Sequence, residues 1–168
     1  TRVCIAGAGG GGGLLAEWAA REGFEVRVAD PDCLERSNGG RVIHAVHGNF
    51  GRNKAQVVAE HANRARPAHT VVAWAEGISN ENVDDFLVGD LATGRRVIAV
   101  DEIDILAPGI AASFGRSARR LGAPLVQGTD IGYGGMVTSF HPAEGRYTYE
   151  RMSGLESGDG PLAALAYL

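Results

Sequence analysis

The chain has 168 residues, 45% of them hydrophobic, enough to bury the core of one compact domain. No apolar run reaches the roughly 18 residues that a bilayer span needs. A net charge of −4 weighs against a nucleic-acid surface, which needs a basic face.

The chain opens on a short apolar strand, Thr1–Ala6, that runs straight into seven residues of which six are glycine. Gly7, Gly9 and Gly12 stand at G-x-G-x-x-G spacing, and a helix is predicted from Gly13 to Glu22 with Leu14, Leu15 and Trp18 buried and Gly23 as its stop. Phe24–Ala29 alternates as a strand and ends at Asp30. The following stretch, Pro31–Phe50, is polar and glycine-rich, too long for a simple connector and of the kind that carries function. A second helix fits Asn53–Arg66 on the stripe Ala55, Val58, Ala59, Ala62 and Ala65, with Pro67 ending it. Thr70–Ala75 is the next strand, and Ser79 or Asn80 caps a short helix through Leu87, with Glu81 in its first turn. Arg96–Val100 is a buried strand leading to Asp101 and Asp104. Pro108–Leu121 is a helix that Gly122 stops, and Pro124–Gln127 resumes the sheet. A hairpin of Met136–Phe140 with Tyr147–Glu150 closes the pattern.

Strands alternating with helices predict an α/β, Rossmann-like doubly wound fold. The sheet is mostly parallel, with helices on both faces and a C-terminal antiparallel extension. The span 1–168 reads as a single nucleotide-binding domain. Its start directly at the first strand, without an initiator Met, suggests a piece truncated at both ends.

A strand–glycine turn–helix unit is built to hold phosphate, because its backbone N–H groups approach the anion and the helix N-terminus adds partial positive charge. Asp30, about 20 residues on, is placed to hold a ribose hydroxyl, while Pro31 turns Asp32 away. Ligands of such sheets gather at the carboxyl ends of the strands, where Asp30, Asp32, Asp101, Asp104, Asn38, Arg41 and Lys54 fall. Carboxylates at Asp101 and Asp104 suit Mg²⁺, and Arg41 and Lys54 suit the charge of a triphosphate. Solvated cations and turn-capping aspartates are the plain alternatives for these four. Cys4 reads as a buried core thiol and Cys33 as a bystander in the loop. Without a C-x-x-C pair they point to neither a zinc knuckle nor a disulfide framework. His44 and His47 lie three apart with no third ligand in view.

Three segments together resemble the E1-like activating enzymes of the ThiF and MoeB type. They are Asp30-Pro31-Asp32-Cys33-Leu34-Glu35-Arg36-Ser37-Asn38-Gly39-Gly40-Arg41, Gly51-Arg52-Asn53-Lys54-Ala55, and Val100-Asp101-Glu102-Ile103-Asp104. With Gly7, Gly9, Gly10 and Gly12 they follow the family order G-x-G-G-x-G, S-N-x-x-R, G-x-x-K-A and D-x-x-D, from Thr1 to about Pro142. The resemblance implies adenylation of a carboxylate with ATP and Mg²⁺. In that reading Asp30 holds the ribose, Asn38, Arg41 and Lys54 engage the phosphates, and Asp104 faces Mg²⁺. Arg41, Lys54 and Asp104 would be the catalytic set. The implied substrate is the C-terminal carboxylate of a ubiquitin-like or sulfur-carrier protein, or a peptide; some relatives act on a modified tRNA base. A homodimer or heterodimer is implied as well, and the Gly128–Gly135 segment would border the substrate carboxylate.

The chain departs from the family pattern at Val42 and Ile105, where Gln and Asn are usual, and at Ala107-Pro108-Gly109, where an Arg commonly stands. Nor does an Arg precede the first strand here. These departures keep a non-catalytic E1-like scaffolding subunit as an alternative. An NAD(P)-linked oxidoreductase is a second alternative, which explains neither Lys54 nor the S-N-x-x-R loop. The expected setting is cytoplasmic, with no membrane and no nucleic-acid partner surface.

Overall fold

The computed structural model describes residues 1–65, 71–88, 94–104, 106–131, 134–143 and 148. Six strands, β1 (Arg2–Ala6), β2 (Glu25–Ala29), β3 (Val71–Trp74), β4 (Val97–Asp101), β5 (Leu125–Ile131) and β6 (Gly134–Phe140), form one sheet in the order β3-β2-β1-β4-β5-β6. The first five run parallel, and β6 returns antiparallel along β5. The chain therefore reverses its direction of winding between β1 and β4, and that junction is where open α/β sheets form their crevice.

Helices α1 (Gly10–Arg21) and α2 (Lys54–Ala65) pack on one face around Ile5, Ala16, Val28 and Val58. Helices α3 (Val83–Leu87) and α4 (Pro108–Arg120) cover the other around Cys4, Phe86, Ala99 and Phe114. The doubly wound, mostly parallel architecture expected from the sequence is the one found. Among the described residues no helix is long and apolar enough to cross a membrane.

Several local expectations are corrected. Helix α1 starts at Gly10, three residues before the predicted start. Its buried face is Gly12, Gly13, Ala16, Ala19 and Ala20, while Leu14 and Leu15 are half-buried and Trp18 is 58% exposed. Small residues win that face because the helix lies close to its neighbours: a Cβ on Gly12 would stand 2.1 Å from the Gly7 carbonyl oxygen, and one on Gly13 3.2 Å from Val58. On α2, Ala65 is exposed and Val57 is buried in addition to Ala55, Val58, Ala59 and Ala62. Asn82, not Ser79 or Asn80, occupies the cap position of α3, and Asp84 and Asp85 fill its first turn. Ser79 and Asn82 instead lock the preceding turn, the Asn82 side chain accepting from Ser79 N at 2.7 Å. The antiparallel extension is a hairpin of β5 with β6, pairing Gln127 with Thr138, so Met136–Phe140 does not need Tyr147–Glu150 as its partner. That second segment lies outside the described residues except for Thr148.

The Pro31–Phe50 stretch contains no strand of the sheet. It holds two 3-10 turns, Arg36–Gly40 and His47–Asn49, and a small core of its own in which Leu34, Val42 and Ala45 pack on Val57 of α2. Asn53 fastens both its ends. Its amide nitrogen donates to the carbonyls of Asp30 (2.8 Å), Asp32 (3.2 Å) and Ala75 (3.2 Å), and its side-chain oxygen caps α2 by accepting from Gln56 N.

Candidate nucleotide-binding site

Strand register places the site. Ala6 pairs with Ala29 on one side and with Asp101 on the other. Gly7, Asp30 and Glu102 are thus the first residues beyond three adjacent strands, side by side at the carboxyl edge. Gly7 N donates to the Ala29 carbonyl, and Glu102 N to the Ala6 carbonyl.

The glycine turn is shaped for an anion. Gly7 has φ +105°, and a Cβ there would meet the Glu102 carbonyl oxygen at 2.2 Å, so only glycine fits on both counts. Gly9 occupies the cap position of α1 without any side chain to satisfy the N–H groups of the first turn. Those donors, together with the positive end of the helix dipole, face the crevice. Gly10 lies under the Arg41 carbonyl, 2.9 Å from where its Cβ would be, which brings the Arg36–Arg41 loop over the turn.

Asp30 is 7% exposed and its carboxylate ties the turn to the second strand. One oxygen accepts from Ala8 N at 2.8 Å and the other from Asp32 N at 2.9 Å. Asp32 is exposed where Asp30 is buried, but it is not turned away from the edge, since its carboxylate meets the same lysine as Asp30. Lys54, the first residue of α2, is brought to the same edge: its Nζ lies 2.9 Å from Asp32 Oδ2 and 3.9 Å from Asp30 Oδ1. Arg41 is exposed and has no ion-pair partner among the described residues.

Asn38 is buried and its side-chain oxygen accepts from Glu35 N at 2.9 Å, closing the first 3-10 turn as a capping box. Its contribution to the loop is therefore structural on that side. Asp101 and Asp104 both cap backbone. Asp101 is buried, with one oxygen accepting from Ile103 N at 3.0 Å and the other 3.4 Å from the Gln127 amide. Asp104 is exposed, with one oxygen accepting from Leu106 N at 2.9 Å and the second unengaged by any described hydrogen bond. Asp104 thus sits in the turn after β4, three residues beyond the strand end.

Glu102 went unassigned in the sequence reading. Its carboxylate is half-buried between two glycines far apart in the chain. A Cβ on Gly11 would fall 2.5 Å from Oε2, and one on Gly128 2.5 Å from Oε1. Burial, then the charges of Asp101 and Asp130, push this carboxyl above the usual carboxylate range. The only sequence signal was an acidic residue inside a motif already carrying two.

His44 was also read only as a loop residue, yet it is 2% exposed and pins the loop to α1. Its Nε2 faces Glu17 Oε2 at 3.2 Å, its ring meets His61 edge-on at 5.1 Å, and its Nδ1 has no partner. Burial holds the imidazole below its ordinary pKa. Cys4 is buried, with its thiol pushed up to about 12 chiefly by burial; Cys33 is exposed.

A model of the ThiF family matches residues 1–156. The tRNA threonylcarbamoyladenosine dehydratase of Escherichia coli (strain K12) is 32% identical over 136 residues, covering 80% of this chain and 47% of the relative. The chain therefore spans about half the length of that protein. A crystal structure of the E. coli tRNA N6-threonylcarbamoyladenosine dehydratase TcdA in complex with ATP superposes with a TM-score of 0.63 at 29% identity. It covers 77% of this chain and 53% of the other. E. coli MccB with AMPCPP and MccA has a TM-score of 0.68 at 19% identity over 84% of this chain and 41% of its own, a likeness of fold.

Proposed function

Because the chain belongs to the ThiF family, we propose that it binds ATP and Mg²⁺ at the glycine turn and adenylates a carboxylate. The observation that carries this reading is the register of Gly7, Asp30 and Glu102 at the edge where the uncapped first turn of α1 faces Arg41 and Lys54. It draws support from the ATP complex of the dehydratase TcdA.

The residues fit both groups. Open space at Gly9, where a Cβ would meet nothing within 4 Å, and the first-turn N–H groups of α1, which no side chain caps, suit phosphate oxygens. Asp30 lies beside the turn on the β2 side, where it would take a ribose hydroxyl on its carboxylate. The hard oxygen donors near β4 suit Mg²⁺, with the unengaged oxygen of Asp104 as the proposed ligand. That ion would neutralise phosphate charge when bound.

In the proposed reaction a carboxylate oxygen attacks the α-phosphorus of ATP, the bond to the bridging oxygen breaks, and pyrophosphate leaves. No proton needs to move in that step. The protein's work is alignment in line and stabilisation of charge on the departing pyrophosphate. Lys54 reaches the edge from the head of α2, where the helix dipole adds to its ammonium charge, and Arg41 extends from the loop above the turn. In the free protein Asp32 holds Lys54, so the lysine would exchange that exposed partner for phosphate on binding.

The substrate carboxylate we favour belongs to threonylcarbamoyladenosine in tRNA. The support is the name shared by the relatives from E. coli and Haemophilus influenzae. A threonylcarbamoyl group carries the free carboxylate of threonine, and losing water from it requires its oxygen to become a leaving group, which adenylation achieves. The resemblance alone favoured the carboxyl tail of a protein or peptide, with a modified tRNA base as the substrate of some relatives only. The net charge of −4 also weighed against a nucleic-acid surface, so the tRNA reading departs from the sequence expectation.

The test is ATP–pyrophosphate exchange with each carboxylate supplied separately. Exchange dependent on tRNA bearing the modification supports the proposal. Exchange only with a protein or peptide tail transfers it to that class. Silence with all of them, despite Mg·ATP binding by titration, identifies the scaffolding alternative.

A further inference from the structure

Glu102 is a carboxylate at the carboxyl edge to which the proposed reaction gives no role, and its surroundings are unusual. It is the first residue after β4, directly beside Gly7, and so stands at the junction where the sheet reverses its winding. Its two carboxylate oxygens are held between Gly11, in the first turn of α1, and Gly128 of β5. A Cβ at either glycine would displace the carboxylate from its present place. No lysine, arginine or histidine among the described residues forms an ion pair with it, and the charges of Asp101 and Asp130 repel it.

We propose that Glu102 makes nucleotide binding depend on a divalent cation, because its carboxylate lies beside Gly11 in the first turn of α1 and repels a bare polyphosphate bound there. The inference rests on the ATP reading above. The physical basis is local. The first-turn N–H groups that would receive phosphate stand close to an anionic side chain that no described cation pairs with, and its half-burial limits solvent screening of that charge. A phosphate arriving with Mg²⁺ brings positive charge to the crevice and removes the conflict. Arg41 and Lys54 do not do this in advance: Arg41 is exposed above the turn and Lys54 is held at Asp32, on the β2 side.

The test compares the unmutated chain with Glu102→Gln, which keeps the shape wedged between Gly11 and Gly128 but removes the charge. Both are titrated calorimetrically with ATP in EDTA, with ATP in excess Mg²⁺, and with adenosine. The expected result is at least a tenfold gain in metal-free ATP affinity for Glu102→Gln, or about 1.4 kcal/mol. That gain should shrink or reverse in Mg²⁺ and be absent with adenosine, which has no phosphate. Glu102→Ala should show the same metal-free gain and guards against an effect peculiar to the amide. Equal metal-free ATP affinities in chains that do bind Mg·ATP would overturn the role of Glu102 alone. An equal gain for adenosine would do the same, since charge on phosphate would not be the cause. Failure of every chain to bind ATP with or without Mg²⁺ would overturn the nucleotide reading and this inference together.

Discussion

Gly12→Ala against Gly9→Ala is the most discriminating perturbation of the glycine turn, because the two positions look alike in the sequence and differ sharply in space. A Cβ on Gly12 would lie 2.1 Å from the Gly7 carbonyl oxygen and 3.2 Å from Ile5 Cγ2, whereas a Cβ on Gly9 meets nothing within 4 Å. The obstacle at Gly12 is backbone, so it cannot rotate away. To restore an ordinary contact of more than 3 Å, α1 must lift from the end of β1 by roughly an ångström. Forced overpacking of this kind costs about 1–3 kcal/mol. Since α1 is clamped to Val58 at the next residue as well, the upper half of that range is expected. Helix propensity works the other way, since alanine is better than glycine inside a helix by about 1 kcal/mol. The net expectation for Gly12→Ala is a loss of ~1–2 kcal/mol. For a domain of this size each kcal/mol shifts Tm by about 2–4 °C, so Tm should fall by roughly 2–8 °C.

Gly9→Ala should leave Tm within about 2 °C, since it adds no contact, and its effect should appear only in nucleotide affinity. Differential scanning calorimetry on the two variants and the unmutated chain measures the first quantity, and titration with Mg·ATP the second. If Gly12→Ala melted at or above the unmutated chain, the close approach of α1 to Gly7 would be refuted as the reason for glycine there.

Asp30→Ala should cost about 1–3 kcal/mol by leaving the buried Ala8 N–H without an acceptor, and should abolish adenosine binding; Asp32→Ala should do neither, with chemical denaturation and adenosine titration as the readouts. Because burial holds His44 below its unfolded pKa of about 6.5, its contribution to stability is complete above that pH and is lost as pH falls below it. Melting between pH 7.5 and 5 should therefore show a loss that His44→Gln diminishes, while an unchanged pH profile in that variant would assign the loss elsewhere. Alkylation at pH 8 in the native state should label Cys33 alone, because the Cys4 thiol is buried and pushed up to about 12; mass spectrometry finding Cys4 modified first would contradict the core placement.

How much of this was legible in the sequence follows from what each signal encodes. The alternation of strands and helices is written in periodicity, so the parallel order and the edge that gathers Asp30 and Lys54 could be read in advance. The start of α1 could not. Gly10, Gly11 and Gly12 have poor helix propensity, and their helical turn is crowded by the Arg41 carbonyl, the Glu102 carboxylate and the end of β1 in turn, tertiary neighbours that local preference does not encode. Trp18 is likewise left outside, although size and hydrophobicity alone would bury it. Glu102 and His44 were invisible for a different reason. Glu102 acquires its meaning from Gly11 and Gly128, and His44 from Glu17 and His61, partners that no spacing rule connects.

The long Pro31–Phe50 stretch shows how a segment without a strand of the sheet can still fix the backbone of the exposed cation proposed for phosphate, Arg41. Leu34, Val42 and Ala45 anchor it to Val57, the buried His44 holds it to Glu17 of α1, and Asn53 gathers the carbonyls of Asp30, Asp32 and Ala75 at its base. Arg41 lies between the buried Asn38 and the buried Val42, so its backbone is fixed against Gly10 while its guanidinium stays free. An exposed arginine on a loosely held loop would lose most of its electrostatic value to side-chain and backbone entropy on binding. Here the backbone share of that cost has already been met by folding. The glycine at position 10 is part of the same arrangement, since a Cβ there would push the Arg41 carbonyl, and with it the guanidinium, away from the turn.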